Sequence, residues 1–195
     1  MRVIASAVLA AAAAAGVQNE FPPDVRDAIK LGRTSDETLL ASFHRGYSLA
    51  PSGVVDSAEI VTEFRRAVLI VREHAMQGEF MFGPRELTAA LAPYRGLVTL
   101  AVQIRLHPLN TFVKPPLYEM YVSTGPSTPP VAAKPLKRDP VYPLGVTTGA
   151  PMIAIRLEGS FPRAEVASAS QPSLVVLDDR AELVWQARLD LSRYR

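Results

Sequence analysis

The feature that most constrains this chain is a strict alternation of apolar and polar side chains that begins after Gly96. Aliphatic residues occupy every second position from Val98 to Leu106, and the positions between them are small or polar. Successive side chains of a β-strand point to opposite faces, so this spacing predicts a strand with one buried face and one wetter face. The residues on the wetter face include Arg105 and His107.

Four further segments, 118–123, 153–158, 174–177 and 183–192, carry alternating or continuous apolar runs. The last two are joined by residues 178–181, whose composition is typical of a tight turn and predicts an antiparallel hairpin. This hairpin resembles the closing strands of an immunoglobulin-like or fibronectin-type sandwich. Five such strands, with proline-rich connections and no helix between them, favour an antiparallel β-sandwich-like sheet.

The part of the chain before Gly96 has a helical period instead. It predicts short helices over 24–31 and 84–91, and a helix after Thr34 whose capping box is completed by Glu37. A long helix is expected from Asp56 to Ala75, the alternative being a strand over 54–61 followed by a shorter helix. The expected fold is therefore α+β, with a helical region over 17–95 packed with an antiparallel β region over 96–195. The alternative is that both regions form one compact unit.

Residues 3–15 are uncharged and alanine-rich, and Ala13 and Ala15, or Ala14 and Gly16, have the spacing of small residues that a signal peptidase needs. The run is too short to span a bilayer but fits a signal peptide over 1–16. We therefore expect an exported bacterial protein, periplasmic or secreted, with no membrane span in the mature chain. The absence of cysteine excludes disulfides and thiolate chemistry.

Net charge and histidine spacing argue against two further classes of function. The net charge of +2 from 21 basic and 19 acidic residues excludes the strong positive field typical of nucleic-acid binding. His44, His74 and His107 are 30 and 33 residues apart, a spacing that matches no metal motif. We therefore expect neither a metal site nor a cofactor.

The catalytic candidates are Asp56, Glu59, Glu63 and His107. On the expected long helix Glu59 and Glu63 are four residues apart and share a face, and paired carboxylates can perform general acid–base chemistry. The alternative is a solvated helix surface, on which these acids form salt bridges with basic residues such as Arg65.

The binding candidates are Phe112, Lys114, Tyr118 and Tyr121. Exposed aromatic residues beside a proline-stiffened loop are typical of a contact site for a protein or a glycan. The alternative is that the N-terminal helices cover this sheet face, which would make Tyr121 an ordinary interface residue.

Ten of the 17 prolines lie between Pro108 and Pro151. Because proline cannot donate to a sheet ladder, this stretch predicts edges and loops, with 124–143 as a mobile loop. Lys134, Lys137 and Arg138 form a basic cluster in this stretch. Such a cluster can contact an anionic polymer or a phospholipid surface, and the alternative is a solvated loop that its charges keep soluble.

These observations favour a non-enzymatic binding or accessory module of the cell envelope, with an envelope protein or a glycan as its partner. Two alternatives stay open: an envelope hydrolase using the carboxylates named above, and a subunit of a secreted assembly whose sheet edges a partner completes.

Overall fold

The computed structural model describes residues 23–112, 114–125, 128–145, 150–169 and 171–194. The signal peptide predicted over 1–16 lies outside these residues. Within them the chain forms five α-helices and nine strands, and the strands make two antiparallel sheets. The predicted α+β class, with N-terminal helices and a β-sandwich-like part, is confirmed.

Four helices form a layer of their own before the main run of strands. They are α1 (Pro23–Gly32), α2 (Glu37–Arg45), α3 (Glu63–Met76) and α4 (Pro84–Leu91). Their inward residues form one apolar cluster: Ala28, Leu40, Ala67, Val68, Val71, Leu87 and Leu91. α1 approaches α3 so closely that a Cβ on Gly32 would lie 2.7 Å from Val71 Cβ. Only glycine fits there without displacing a helix.

The first sheet has five strands in the order β1-β2-β3-β7-β6. They are β1 (Ser48–Leu49), β2 (Val55–Val61), β3 (Leu97–Arg105), β7 (Ala154–Pro162) and β6 (Leu136–Val141). β3 and β7 pair along nine residues, from Leu97 opposite Pro162 to Arg105 opposite Ala154. This long central pair is the frame on which the shorter strands are placed.

The second sheet has the order β5-β4-β8-β9. Its strands are β4 (Glu119–Ser123), β5 (Val131–Ala132), β8 (Ser173–Leu177) and β9 (Leu183–Arg188). The predicted hairpin is confirmed, because β8 pairs antiparallel with β9. A short helix, α5 (Arg163–Ala167), follows β7, so the expectation of no helix between the strands is wrong at this connection.

The inward faces of both sheets share one hydrophobic core, as in a sandwich. The first sheet contributes residues such as Ile60, Leu100, Leu157 and Phe161, and the second contributes residues such as Trp185. The aliphatic row predicted from β3 is buried as expected. Its other face is drier than expected, since Thr99 and Ala101 are buried as well.

The segment 124–143, expected to be a mobile loop, contains β5 and β6 and connects the two sheets. The amide of Ala133 donates to Met120 O at 3.1 Å in the second sheet, and that of Lys134 donates to Ser160 O at 2.8 Å in the first. Prolines are accommodated because β6 is an edge strand, where a missing N–H breaks no interior ladder bond.

The expected long helix over 56–75 is wrong, and the alternative of a strand followed by a shorter helix is confirmed. β2 ends at Val61, and the Thr62 side chain caps α3 by accepting from the Arg65 amide at 3.3 Å. Pairing with β3 determines the outcome, because β2 completes a sheet in which Ala58 and Ile60 are buried. Tertiary pairing here overrides a periodicity that also suits a helix.

The capping box predicted at Thr34 and Glu37 is also wrong. The residue that caps α2 is Asp36, whose side chain accepts from the Leu39 amide at 3.0 Å. Thr34 Oγ1 accepts from the Asp36 amide, and the Glu37 carboxylate pairs with Arg72 of α3.

Arg65 joins the helical layer to the sandwich. It is 4% exposed, and its guanidinium donates to Ile60 O at 2.7 Å and to Glu59 Oε2 at 2.9 Å. The same group lies over the Tyr47 ring, 5.3 Å from the centroid. Burial lowers the pKa of Arg65, and the Glu59 carboxylate opposes this shift. Arg65 is therefore a buried, paired cation rather than part of a solvated helix surface.

We predict that Arg65→Met lowers the free energy of unfolding by about 1–3 kcal/mol, since it leaves the Ile60 carbonyl and the partly exposed Glu59 carboxylate without their hydrogen-bond donor. Urea unfolding followed by circular dichroism measures the change. Arg95→Met, at an exposed position, is the matched control and should change stability by less than about 0.5 kcal/mol. Equal effects of the two substitutions would contradict the role assigned to Arg65.

Candidate functional site

The structure does not gather the four catalytic candidates. Asp56 lies at a bulge of β2 and pairs with Arg105 at 3.4 Å, while Glu59 pairs with Arg65. Glu63 is the first residue of α3 and lines a cavity together with Asp24 of α1. Glu59 and Glu63 therefore do not share a helix face, because the chain changes from strand to helix between them.

The fourth candidate, His107, is exposed in the connection after β3, where its Nδ1 accepts from the Leu109 amide at 3.1 Å. The other histidines are elsewhere. His74 contacts Glu79 at 2.6 Å and stacks on Phe82, with ring centroids 3.7 Å apart. Across the described ranges, no group of three or more histidine, aspartate or glutamate side chains is placed to hold a metal ion.

His44 lies beside the buried ion pair at the junction of helices and sandwich. Its Nδ1 is buried and has no hydrogen-bond partner within the described structure. Burial is the main cause that lowers its pKa from 6.5, and Arg65 and Arg72 lower it further while Glu59 raises it. The imidazole is therefore held in its neutral form.

The densest set of exposed apolar side chains lies at one end of the sandwich, which we call the loop end. The described residues of its connections are 50–54, 106–112, 114–118, 142–145 and 150–153, together with the hairpin turn 178–182. Backbone and side-chain bonds hold these connections together. The Leu106 amide donates to Ile153 O at 2.9 Å, and Asn110 Nδ2 donates to Met152 O at 2.9 Å.

Large hydrophobic residues on these connections point into solvent. Leu109 is 83% exposed, and Leu144 on the neighbouring connection is fully exposed. Six others with substantial exposure surround them: Val54, Phe112, Leu117, Tyr142, Ile153 and Leu183. A soluble monomer rarely exposes so many large apolar side chains in one region, and such a surface is typical of an interaction site.

The charges of the loop end are divided between its two sides. The connections 50–54, 106–118 and 142–153 contain no acidic residue, and their basic residues are Lys114 and His107. The hairpin turn is acidic, with Asp178, Asp179 and Glu182 against Arg180. This division gives the loop end an apolar side and a negatively charged side.

The hairpin turn is held in shape by its own acid. Asp178 Oδ1 accepts from the Arg180 amide at 2.9 Å and from the Glu182 amide at 2.8 Å. Burial, followed by the charges of Asp178 and Asp179, raises the pKa of Tyr118. Tyr118 therefore lies where the sandwich core meets the acidic turn.

The four predicted binding residues have different surroundings. Phe112 and Lys114 are exposed on the loop end, whereas Tyr118 is half-buried and packs against the core. Tyr121 lies on the outer face of the second sheet, where its hydroxyl donates to Glu119. α3, in contrast, makes its hydrogen bonds to β2 of the first sheet.

Sequence reasoning missed the connection 142–153. Its signal was present, since residues 141–155 contain no charge at all although Tyr142, Leu144 and Ile153 are exposed. The basic cluster predicted at 134–138 is not one surface. Lys137 and Arg138 are adjacent on β6 and point to opposite sides, and Arg138 Nε donates to Tyr118 O at 2.7 Å.

No helix within the described ranges has the length and apolarity needed to cross a bilayer. Comparison of the chain with protein-family models, with curated proteins and with solved structures finds no match.

We predict that the neutral His44 stabilises the fold above about pH 6.5 and that this contribution is lost as the pH falls through the lower pKa of the folded state. The unfolded chain binds the proton more readily, so acid favours unfolding. Urea unfolding at about pH 7.5 and 5.5 should show a larger loss of stability for the native chain than for His44→Gln. Parallel losses in both chains would contradict the prediction.

Proposed function

We propose that this protein is a non-enzymatic binding module that docks a protein partner on its loop end. The observation that carries the proposal is the pairing of exposed apolar side chains with an acidic turn on one surface. Burying a leucine such as Leu109 or Leu144 contributes about 1.5–3 kcal/mol, so a few such contacts can support a specific complex.

The charge distribution favours a protein over a lipid bilayer. Anionic headgroups would be repelled by Asp178, Asp179 and Glu182 at the rim of the same surface. A protein can present an apolar patch to the leucines and basic side chains to the turn, which suits both sides of the loop end.

The chemistry also favours a protein over a glycan. Glycans are rich in hydroxyl groups, and they offer little apolar surface against which the exposed leucines could be buried. The expected partner therefore has an apolar patch next to a basic rim. An envelope protein satisfies this description, and the uncharged run over 3–15 supports export as part of the same proposal.

The separation of Asp56, Glu59 and Glu63 supports a binding role rather than a hydrolytic one. A pair of carboxylates that act together on one bond must face one substrate, within about 10 Å of each other. Here Asp56 and Glu59 each pair with a different arginine.

A photoreactive phenylalanine analogue at position 144 tests the proposal in cells that produce the protein. We expect a covalent adduct to one protein partner, and an excess of native chain should suppress its formation. The double variant L109S/L144S should compete at least about tenfold more weakly, because two apolar contacts are lost. Both positions are exposed, so neither substitution removes core packing.

The matched control places the same analogue at position 81 and uses F80S/M81S as competitor. Phe80 and Met81 are also exposed apolar residues, but they follow α3 in the helical layer. This variant should compete as well as the native chain. The same adduct from position 81, full competition by L109S/L144S, or an adduct to lipid or glycan instead of protein would each refute the proposal.

A further inference from the structure

A second surface lies at the end of the sandwich opposite the loop end. There α5 follows β7, and the chain leaves β9 for a short 3₁₀-helix, Leu191–Arg193. Between them is an open cavity of about 710 Å³. This volume is within the range of pockets that hold small molecules. We call this cavity the arginine cleft.

Three arginines from separate segments line the arginine cleft. Arg163 begins α5, Arg188 ends β9, and Arg193 ends the 3₁₀-helix. Within the described part of the chain, none of the three forms an ion pair with a carboxylate. The charges of Arg193 and Arg188 act on Asp190, but the three guanidinium groups also repel one another, and a bound anion would relieve that repulsion.

One acid also stands among the lining residues that the structure describes, and it is already hydrogen-bonded. Asp190 Oδ1 accepts from the Ser192 amide at 3.2 Å and from Ser192 Oγ at 2.5 Å, and so caps the 3₁₀-helix. The hydrogen bonds from Ser192 lower the pKa of Asp190, so its carboxylate stays ionised. Among the described lining residues, three arginines and one carboxylate leave an excess of two positive charges.

Part of this lining is held in place. The Arg163 amide donates to Gly96 O at 2.8 Å, and its Nη2 donates to Tyr194 O at 3.1 Å. Val166, Leu189 and Leu191 contribute buried apolar side chains beside the charges. An apolar wall lowers the local dielectric constant and strengthens the attraction of an anion for the guanidinium groups.

We infer that the arginine cleft binds a small soluble ligand through a phosphate group. A phosphate monoester carries close to two negative charges at neutral pH, which matches the excess charge of the lining, and its oxygens fit the fork of donors on arginine. This site is independent of the loop end, because it uses other residues at the other end of the strands.

Calorimetric titration of the full chain with glycerol 3-phosphate tests the inference. We expect saturable binding with one site, and R188Q/R193Q should raise the dissociation constant by roughly tenfold to hundredfold. Both arginines are exposed, so these substitutions leave the core intact. R95Q/R180Q removes the same net charge at exposed positions outside the cleft and should bind as tightly as the native chain.

Failure to saturate at up to roughly 10 mM glycerol 3-phosphate would overturn the inference, whether or not vesicles containing phosphatidic acid bind. Equal weakening in R188Q/R193Q and R95Q/R180Q would overturn it too, because the attraction would then be a property of net charge. Tighter binding of citrate than of glycerol 3-phosphate would exclude phosphate as the preferred group.

Discussion

The buried guanidinium of Arg65 is the interaction on which the rest of this architecture depends. The helices and the sandwich have separate apolar clusters, and neither cluster extends into the other. Arg65 belongs to α3, but its guanidinium donates hydrogen bonds to Glu59 and Ile60 of β2. A charge removed from water must be matched locally, so these hydrogen bonds hold the start of α3 against the end of β2.

The sandwich separates two surfaces of different chemistry. β3 and β7 run between the loop end and the arginine cleft, with Ile153 just before β7 and Arg163 just after it. One end exposes apolar residues beside an acidic turn, and the other gathers arginines around a cavity. A rigid core between them allows the two ends to differ in ligand while sharing one scaffold. The proposals for protein docking and phosphate binding can therefore succeed or fail separately.

The sequence predictions were accurate where the pattern depends on residues that are close together in the chain. β3 and the β8–β9 hairpin were predicted because alternation and turn composition act between neighbours in the chain. β2 was assigned to a helix because its residues suit either period, and only its pairing with β3 decides between them. Phe112 and Lys114 were predicted as binding residues, whereas Leu144 was not, since the loop end is defined by which connections meet there.

By itself, the sequence determined the α+β class, the buried row of β3, the closing hairpin and the absence of thiol chemistry. These follow from side-chain period and composition, which need no knowledge of distant contacts. Only the tertiary structure decided that Arg65 is buried and that Asp56, Glu59 and Glu63 have separate surroundings. It alone also decided that residues 131–141 join the two sheets. The pairing of β2 with β3 and that of residues 131–141 with β4 and β7 join residues far apart in the chain. Arg65 finds its acceptors only five and six residues away, but only once that pairing has made residues 55–61 a strand.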